Sequence, residues 1–457
     1  MAQADQSVDP AQALRSLSGF LDGWLAFQRW YRQVPSLAVG VSVGDETVFS
    51  GAYGLADVER STPAGSGTRY RIASHSKVFT ATAIMQLVEQ GRLRLDDPVA
   101  EHLDWFRDDD ADSELPYVTV RHLLSHASGL TRDGATTHWH DDRFPSHAEI
   151  VRQVSALPVL GTVDHLKYSN IAFTLAGLVI ESVTGTPYEA HVTSAILEPL
   201  GLTATTPDLP ADLTDHARGY PSWYPGRERP AIEHVPARVM NSATGFSSNV
   251  VDLLRWYQAH RFGSGELLHD RSKREMQRLQ FEGPETRWGL GFSLASHGGL
   301  EFATHGGGYP GFITYSGIEQ ANGIAIVVLT NATDGPARVV FDGVAKLAAR
   351  ALAGDFEGEP PFDAAAADQL AGFYEDRWAI TQVARVGAKL VTASPVPQDP
   401  TATLSVLEHV DGWTFRYPNT FPIASPGERV RFEPGDPPHL HAPSAPPVPR
   451  ADDLLRS

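Results

Sequence analysis

SLAVGVSVGDETVFSGAYG, residues 36–54, reads as two β-rich runs around Gly44-Asp45-Glu46, the pattern of an antiparallel hairpin. Far downstream, GFITYSGIE (311–319) and GIAIVVLTN (323–331) return to strand character around a short Gln-Ala-Asn turn, and FDGVAKLAARALAG (341–354) reads as a closing helix. Strands near both ends of a helix-rich middle predict an α/β fold whose sheet is assembled from N- and C-terminal parts. Leu14, Leu17, Phe20, Leu21 and Leu25 recur at helical spacing before Pro35, so residues 11–33 are expected to form an amphipathic helix covering that sheet. Ser74 to Gln90, with Ala81, Ile84, Leu87 and Val88 inward and Gly91 as its stop, reads as a buried central helix. Residues 95–260 are helical and punctuated by proline, which suggests an inserted helical subdomain.

DFEGEPPFDA (355–364) combines acids and prolines without periodicity and reads as a linker; short strand-like runs follow, spaced by turn residues. The expected organisation is a first domain over 1–358, a small all-β barrel over 359–440 and a flexible tail over 441–457. The 37 Lys+Arg against 55 Asp+Glu give a net charge of −18, which repels phosphate backbones, so no nucleic acid partner is expected. The absence of cysteine excludes disulfides, thiol nucleophiles and thiolate zinc sites. No window approaches 18 uninterrupted apolar residues, so no membrane insertion is expected. Met1 to Pro10 is polar and acidic without an apolar leader, which reads as cytoplasmic, although a trimmed exported form would look the same.

Three short motifs carry chemistry: Ser74-His75-Ser76-Lys77, Tyr168-Ser169-Asn170 and His305-Gly306-Gly307. At a helix start, positions i and i+3 project to one side, so Ser74 faces Lys77 and Ser76 does not. The helix N-terminus offers free N–H groups where an oxyanion would develop. Buried, Lys77 could act as the base that a serine hydroxyl needs. Tyr168 could relay a proton to the leaving group, and Asn170 could bond a substrate amide or fix Lys77. The glycine pair after His305 lets a backbone approach the acyl group, with His305 then near the Tyr168 hydroxyl.

With these motifs in order, and with GAYGLADV (51–58), LVEQGRLRLDDPVAEHL (87–103), TVRHLLSHASGL (119–130), ILEPLGL (196–202) and WGLGF (288–292) between them, residues 35–350 resemble the serine β-lactamase-related hydrolases and penicillin-binding proteins. The branch concerned includes class C β-lactamases, D-Ala-D-Ala carboxypeptidases, D-aminopeptidases and β-lactamase-like carboxylesterases. The resemblance implies a β-lactamase/transpeptidase-like fold, an antiparallel sheet flanked by helices with a helical subdomain. It implies Ser74 as the acylated nucleophile, Lys77 and Tyr168 as the acid/base pair, Asn170 as a substrate contact, and the N–H groups of Ser74 and Gly308, beside Gly307, as the oxyanion hole. His305 stands where many relatives carry the lysine of Lys-Thr/Ser-Gly, which disfavours β-lactam turnover and favours esters, amides or D-amino-acid-containing peptides. LAGFYEDR (370–377) and GERVRFEPGD (427–436) resemble the lipocalin-like β domain appended to several members, including peptide cyclases of the penicillin-binding-protein type.

The expected function is therefore a serine hydrolase forming a covalent acyl-enzyme on a small-molecule or peptide substrate, with no metal or organic cofactor required. A peptide cyclase or acyltransferase, or a binding protein without turnover, remains the alternative, and the oligomeric state is open. Gly40-Val41-Ser42-Val43-Gly44 matches a G-x-S-x-G elbow but lies within alternating strand residues, and His138-Trp139-His140-Asp141 reads as a solvated or substrate-rim loop instead of a metal site. His122 and His126 read as structural, and Trp139, Trp223, Tyr224 and Tyr309 as candidate cleft residues.

Overall fold

A computed structural model describes residues 8–107, 115–156, 165–284, 286–418, 427–442 and 445–455. Nine strands pair antiparallel in one sheet: β1 (Ser36–Val43), β2 (Glu46–Asp57), β3 (Thr62–Pro63), β4 (Phe281–Glu282), β5 (Arg287–Trp288), β6 (Ser293–His297), β7 (Leu300–Tyr309), β8 (Phe312–Glu319) and β9 (Ile324–Thr330). Their order across the sheet is β3-β2-β1-β9-β8-β7-β6-β5-β4. The N- and C-terminal parts of the sheet join at β1 and β9, where Val39 lies opposite Val328.

The run IAIVVLT is buried on both faces because helices cover both. Ala325, Val327 and Leu329 pack into a cluster with α2 (Ser76–Glu89), α3 (Asn170–Thr184) and α4 (Val250–Ala259). The alternate residues Ile324, Ile326 and Val328 pack with α1 (Ser18–Tyr31) and α5 (Ala337–Leu352). The β-lactamase/transpeptidase-like architecture expected from the sequence is present. A short helix, Pro10–Ser16, precedes α1, so the single helix expected over 11–33 is two.

The C-terminal strands form two antiparallel sheets, of four strands from Gly372–Glu375 to Ser405–Val406 and of five from Glu408–Asp411 to Val448–Pro449. They share one core, in which Tyr374, Val383 and Leu390 meet Phe415, Val430 and Phe432. The expected barrel is thus a pair of sheets around a common core. Nor is the stretch after 440 loose throughout: Val448 is buried opposite Leu440, which fixes the backbone there. Residues 443–444 and 456–457 of that expected tail, and 1–7 of the N-terminal reading, lie outside the described residues. The module docks on α1 and α5, where Gln382 Nε2 donates to the Phe20 carbonyl at 2.8 Å and Lys346 pairs with Asp399 at 2.8 Å. No helix among the described residues is long and apolar enough to cross a membrane.

Candidate active site

The central helix begins with a 3-10 turn, Ala73–His75, before α2. Ala73 has φ +49°, a left-handed conformation that costs a non-glycine residue about 1–3 kcal/mol and persists only where its surroundings impose it. Here the Ile72 N–H donates to the Phe246 carbonyl at 2.9 Å, while Ser76 Oγ donates to the Ala73 carbonyl at 2.6 Å and accepts from the Phe246 N–H at 3.0 Å. Ser76 therefore holds the turn, and half-buried Ser74 is presented to the cleft.

Two groups reach Ser74 Oγ. The Tyr168 hydroxyl donates to it at 2.9 Å, and Lys77 Nζ lies 3.1 Å away. Lys77 Nζ also donates to Asn170 Oδ1 and to the Ala243 carbonyl, each at 2.7 Å. Burial pushes the Lys77 ammonium well below the lysine range; the Asp133 charge opposes this and the Arg132 charge adds to it. A neutral amine has two N–H bonds and one lone pair. The two short acceptors match the N–H bonds, which leaves the lone pair facing the Ser74 hydroxyl. The orientation of the Asn170 amide follows from its other end, where Nδ2 donates to Asp133 Oδ1 at 2.6 Å. Burial raises the Tyr168 phenol above its ordinary range, so it keeps its proton and acts as donor.

Asn170 is the first residue of α3 and not its cap. Ser169 caps the helix, its Oγ accepting from the Ala172 N–H at 2.9 Å and donating to the Thr131 carbonyl at 2.7 Å. Tyr168 is held from a third side by His126, which sequence reading assigned only to the helical scaffold. His126 accepts the Lys167 N–H on its carbonyl at 2.7 Å and the Ser169 N–H on Nδ1 at 3.2 Å, and its ring lies 4.3 Å from the Tyr168 ring. It does so at φ +62° and fully buried. Its neighbours in LLSHASGL carry the signal, but nothing in the sequence says which phenol the ring meets.

His305 lies on β7 opposite Ser316. Its Nδ1 donates to the Gly306 carbonyl at 2.7 Å, and its Nε2 is buried without a hydrogen bond. No hydrogen bond joins it to Tyr168 among the described residues, although both line the cleft and both rings lie against Trp288. Burial pushes its pKa well down, so it is neutral. An added Cβ at Gly307 would overlap the Ile72 carbonyl and Thr314 Oγ1, so glycine lets β7 lie directly against the turn that carries Ser74. Pro310-Gly311 turns between the paired residues Tyr309 and Phe312. Pairing of that kind puts Gly308 and Ile313 in a non-hydrogen-bonded position, with the Gly308 N–H out of the ladder.

The cleft has a volume of about 530 Å³. Ser74, Tyr168, Asn170, His305 and Gly308 line it, with Arg132, Asp133, Trp139, Trp288, Tyr315 and Arg338 around them. Trp139, on the short helix His138–Asp141, packs 5.7 Å from Tyr309, whereas Trp223 and Tyr224 are exposed outside the cleft. The described residues hold no cluster of three or more His, Asp or Glu side chains placed for a metal. Ser42 is buried within β1, its Oγ accepting from Gln258 Nε2 at 2.9 Å, so it forms no exposed elbow. The Ala243 carbonyl escaped sequence reasoning because any residue type supplies one.

The chain belongs to the Beta-lactamase family, whose profile matches residues 21–351. It is 29% identical over 376 residues to esterase EstB of Burkholderia gladioli, a match covering 71% of this chain and 92% of that protein. The solved D-amino acid amidase of Ochrobactrum anthropi SV3 superposes with a TM-score of 0.62 and 26% identity, over 73% of this chain and 98% of that one. The octameric penicillin-binding protein homologue from Pyrococcus abyssi superposes with a TM-score of 0.62 at 21% identity, over 94% of this chain and 99% of that one. That last likeness is of fold, and its coverage runs past the family match into the C-terminal strands.

Proposed function

We propose that this member of the Beta-lactamase family is a serine hydrolase that works through an acyl-enzyme on Ser74, taking esters, amides or D-amino-acid-containing peptides. The observation that carries the reading is the meeting of Lys77 Nζ and the Tyr168 hydroxyl at Ser74 Oγ, with the other Lys77 hydrogen bonds committed elsewhere. Lys77 takes the hydroxyl proton as Ser74 Oγ attacks the carbonyl carbon. The N–H groups of Ser74 and Gly308 receive the oxyanion. On collapse, the bond to the leaving group breaks, Tyr168 protonates that group, and the Lys77 proton restores the phenol. Water then attacks the ester, with the proton transfers reversed, and releases the acid and Ser74.

The substrate range rests on the site and on the relatives. His305-Gly306-Gly307 supplies neither the fixed cation nor the hydroxyl with which many relatives grip a carboxylate, and His305 is neutral. Esters are supported by the similarity to an esterase along most of its length, and D-amino acid amides by the similarity to an amidase. The test is intact-protein mass after brief exposure to an activated acyl ester, a D-amino acid amide and a penicillin, with Ser74→Ala beside it. The expected result is one acyl adduct that requires Ser74 and forms fastest from the ester. Turnover undiminished in Ser74→Ala would sink the reading.

A further inference from the structure

A second cleft, of about 370 Å³, lies between the end of β2, the Gly67-Thr68 loop, the segment from Leu213 to Arg218, and His234. It shares no lining residue with the cleft at Ser74. Two imidazoles line it. His216 is 6% exposed, and neither ring nitrogen has a hydrogen bond; His234 Nε2 is likewise buried and unbonded. Their centroids lie 5.8 Å apart with the planes nearly perpendicular. Three buried, unbonded ring nitrogens around one cavity call for an occupant, since each costs about 1–3 kcal/mol if nothing satisfies it.

The surrounding charges select the occupant. Arg218 lines the cleft, and no carboxylate pairs with it among the described residues; Glu59, the acid it acts on, is already bonded by Tyr220. Arg69 and Arg71 act on His216, Arg71 also on His234, and exposed Arg60 lines the cleft. The acids are Asp57, bonded by the Arg60 N–H at 2.9 Å and 3.7 Å from the Arg60 guanidinium, Asp208, paired with Arg71 at 3.2 Å, Asp212, bonded by Thr214, and exposed Asp215 at the rim. With Arg60 and Arg71 paired in this way, a cation would still meet Arg218 in the wall, for which no ion pair stands among the described residues. Water would satisfy the imidazoles but leave Arg218 without a direct ion-pair partner among the described residues.

We infer that this cleft binds a small oxyanion, a carboxylate or a phosphate, which pairs with Arg218 and Arg60 and is hydrogen-bonded by His216 and His234. Burial, the neighbouring imidazole and the arginines hold His216 at about 3, and burial with Arg71 and Arg218 holds His234 at about 4, so both are neutral in the empty cleft. A bound anion offsets the arginine charges and favours proton uptake by the pair, so binding strengthens as pH falls.

The test is calorimetric titration of the full chain with sodium acetate and with sodium phosphate at constant ionic strength, in buffers of differing ionisation heat. Acetate, ionised at about pH 6 and about pH 8 alike, carries the pH comparison. Saturable binding is expected, tighter at the lower pH, with net proton uptake. Arg218→Gln and Arg60→Gln should each weaken it about 10-fold while ester turnover stays unchanged. Should Arg218→Gln fold poorly, exposed Arg60 gives the same reading. Phosphate binding without acetate binding would assign the cleft to phosphate alone. No saturable heat from either probe overturns the inference, as does binding that survives both variants but is lost in Arg338→Gln, which would put it at the cleft of Ser74.

Discussion

Lys77 has a hydroxyl, an amide oxygen and a backbone carbonyl as its hydrogen-bond partners, and no carboxylate touches it. That is the arrangement of an amine kept neutral. Arginine at this position would hold its proton at any working pH, so Lys77→Arg should lower the acylation rate about 1000-fold or more, measured as the burst with an activated ester. Asn170→Asp is the sharper change. A carboxylate against Nζ favours the ammonium, so the acid limb of the kcat/KM profile should move to higher pH. Activity near pH 7 should fall about 10-fold or more and return as pH rises; an unmoved limb would mean that Lys77 is not the base. His126 acts one residue further out, through Tyr168. His126→Ala removes both the Nδ1 acceptor and the ring against the phenol, and should lower kcat about 10–100-fold with KM little changed.

At the scale of elements, the contact between β7 and the turn before α2 sets the geometry around Ser74. Gly307→Ala drives a methyl into the Ile72 carbonyl, a backbone atom that cannot step aside, and should cost about 1–3 kcal/mol in urea unfolding together with most of the activity. At Gly308 an added Cβ meets only Ile313 Cδ1, at 3.6 Å, so Gly308→Ala should leave stability within about 0.5 kcal/mol. Equal losses in the two variants would mean that the β7 contact does not matter. The sequence made α2 legible because its apolar spacing is helical and Gly91 ends it, and β9 because an unbroken run of Ile, Val and Leu suits a strand covered on both faces. β7 was ambiguous between strand and loop, since His305-Gly306-Gly307-Gly308 has little β propensity and is a strand only through its neighbours. β4 and β5, two residues each, are too short for any period. Ser74, Lys77, Tyr168 and Asn170 could be read from spacing and resemblance. The cation–carboxylate pair Arg132–Asp133 and the ring of His126 could not, because their roles come from what the folded chain brings beside them.

For the whole molecule, no described residue beyond Arg338 lines the cleft at Ser74, and the described C-terminal strands seat on α1 and α5. The fold as a whole also encloses neutral histidines, and these set its response to acid. Burial holds His75 at about 3 and His260 at about 4, beside His216 at about 3 and His234 at about 4. An unfolded chain protonates the same side chains near pH 6.5. Between those values the unfolded state binds more protons than the folded one, so stability rises with pH across the window and is lost as pH falls below about 6.5. Each such histidine removes about 1.4 kcal/mol per pH unit, or about 2 kcal/mol by pH 5. Glu275, held at about 2 by Arg278 and Arg121, works at lower pH: its contribution is complete above the usual glutamate range and fades only below it. Urea unfolding of the full chain in an acetate- and phosphate-free buffer should therefore show a loss of several kcal/mol between about pH 7 and about pH 5, before the carboxylates titrate. Added acetate or phosphate should return part of it, the part owed to His216 and His234, and that return should vanish in Arg218→Gln. A flat profile across this window would mean that the buried imidazoles are protonated in the folded chain, and the neutral surroundings assigned to Ser74 and Lys77 would fall with it.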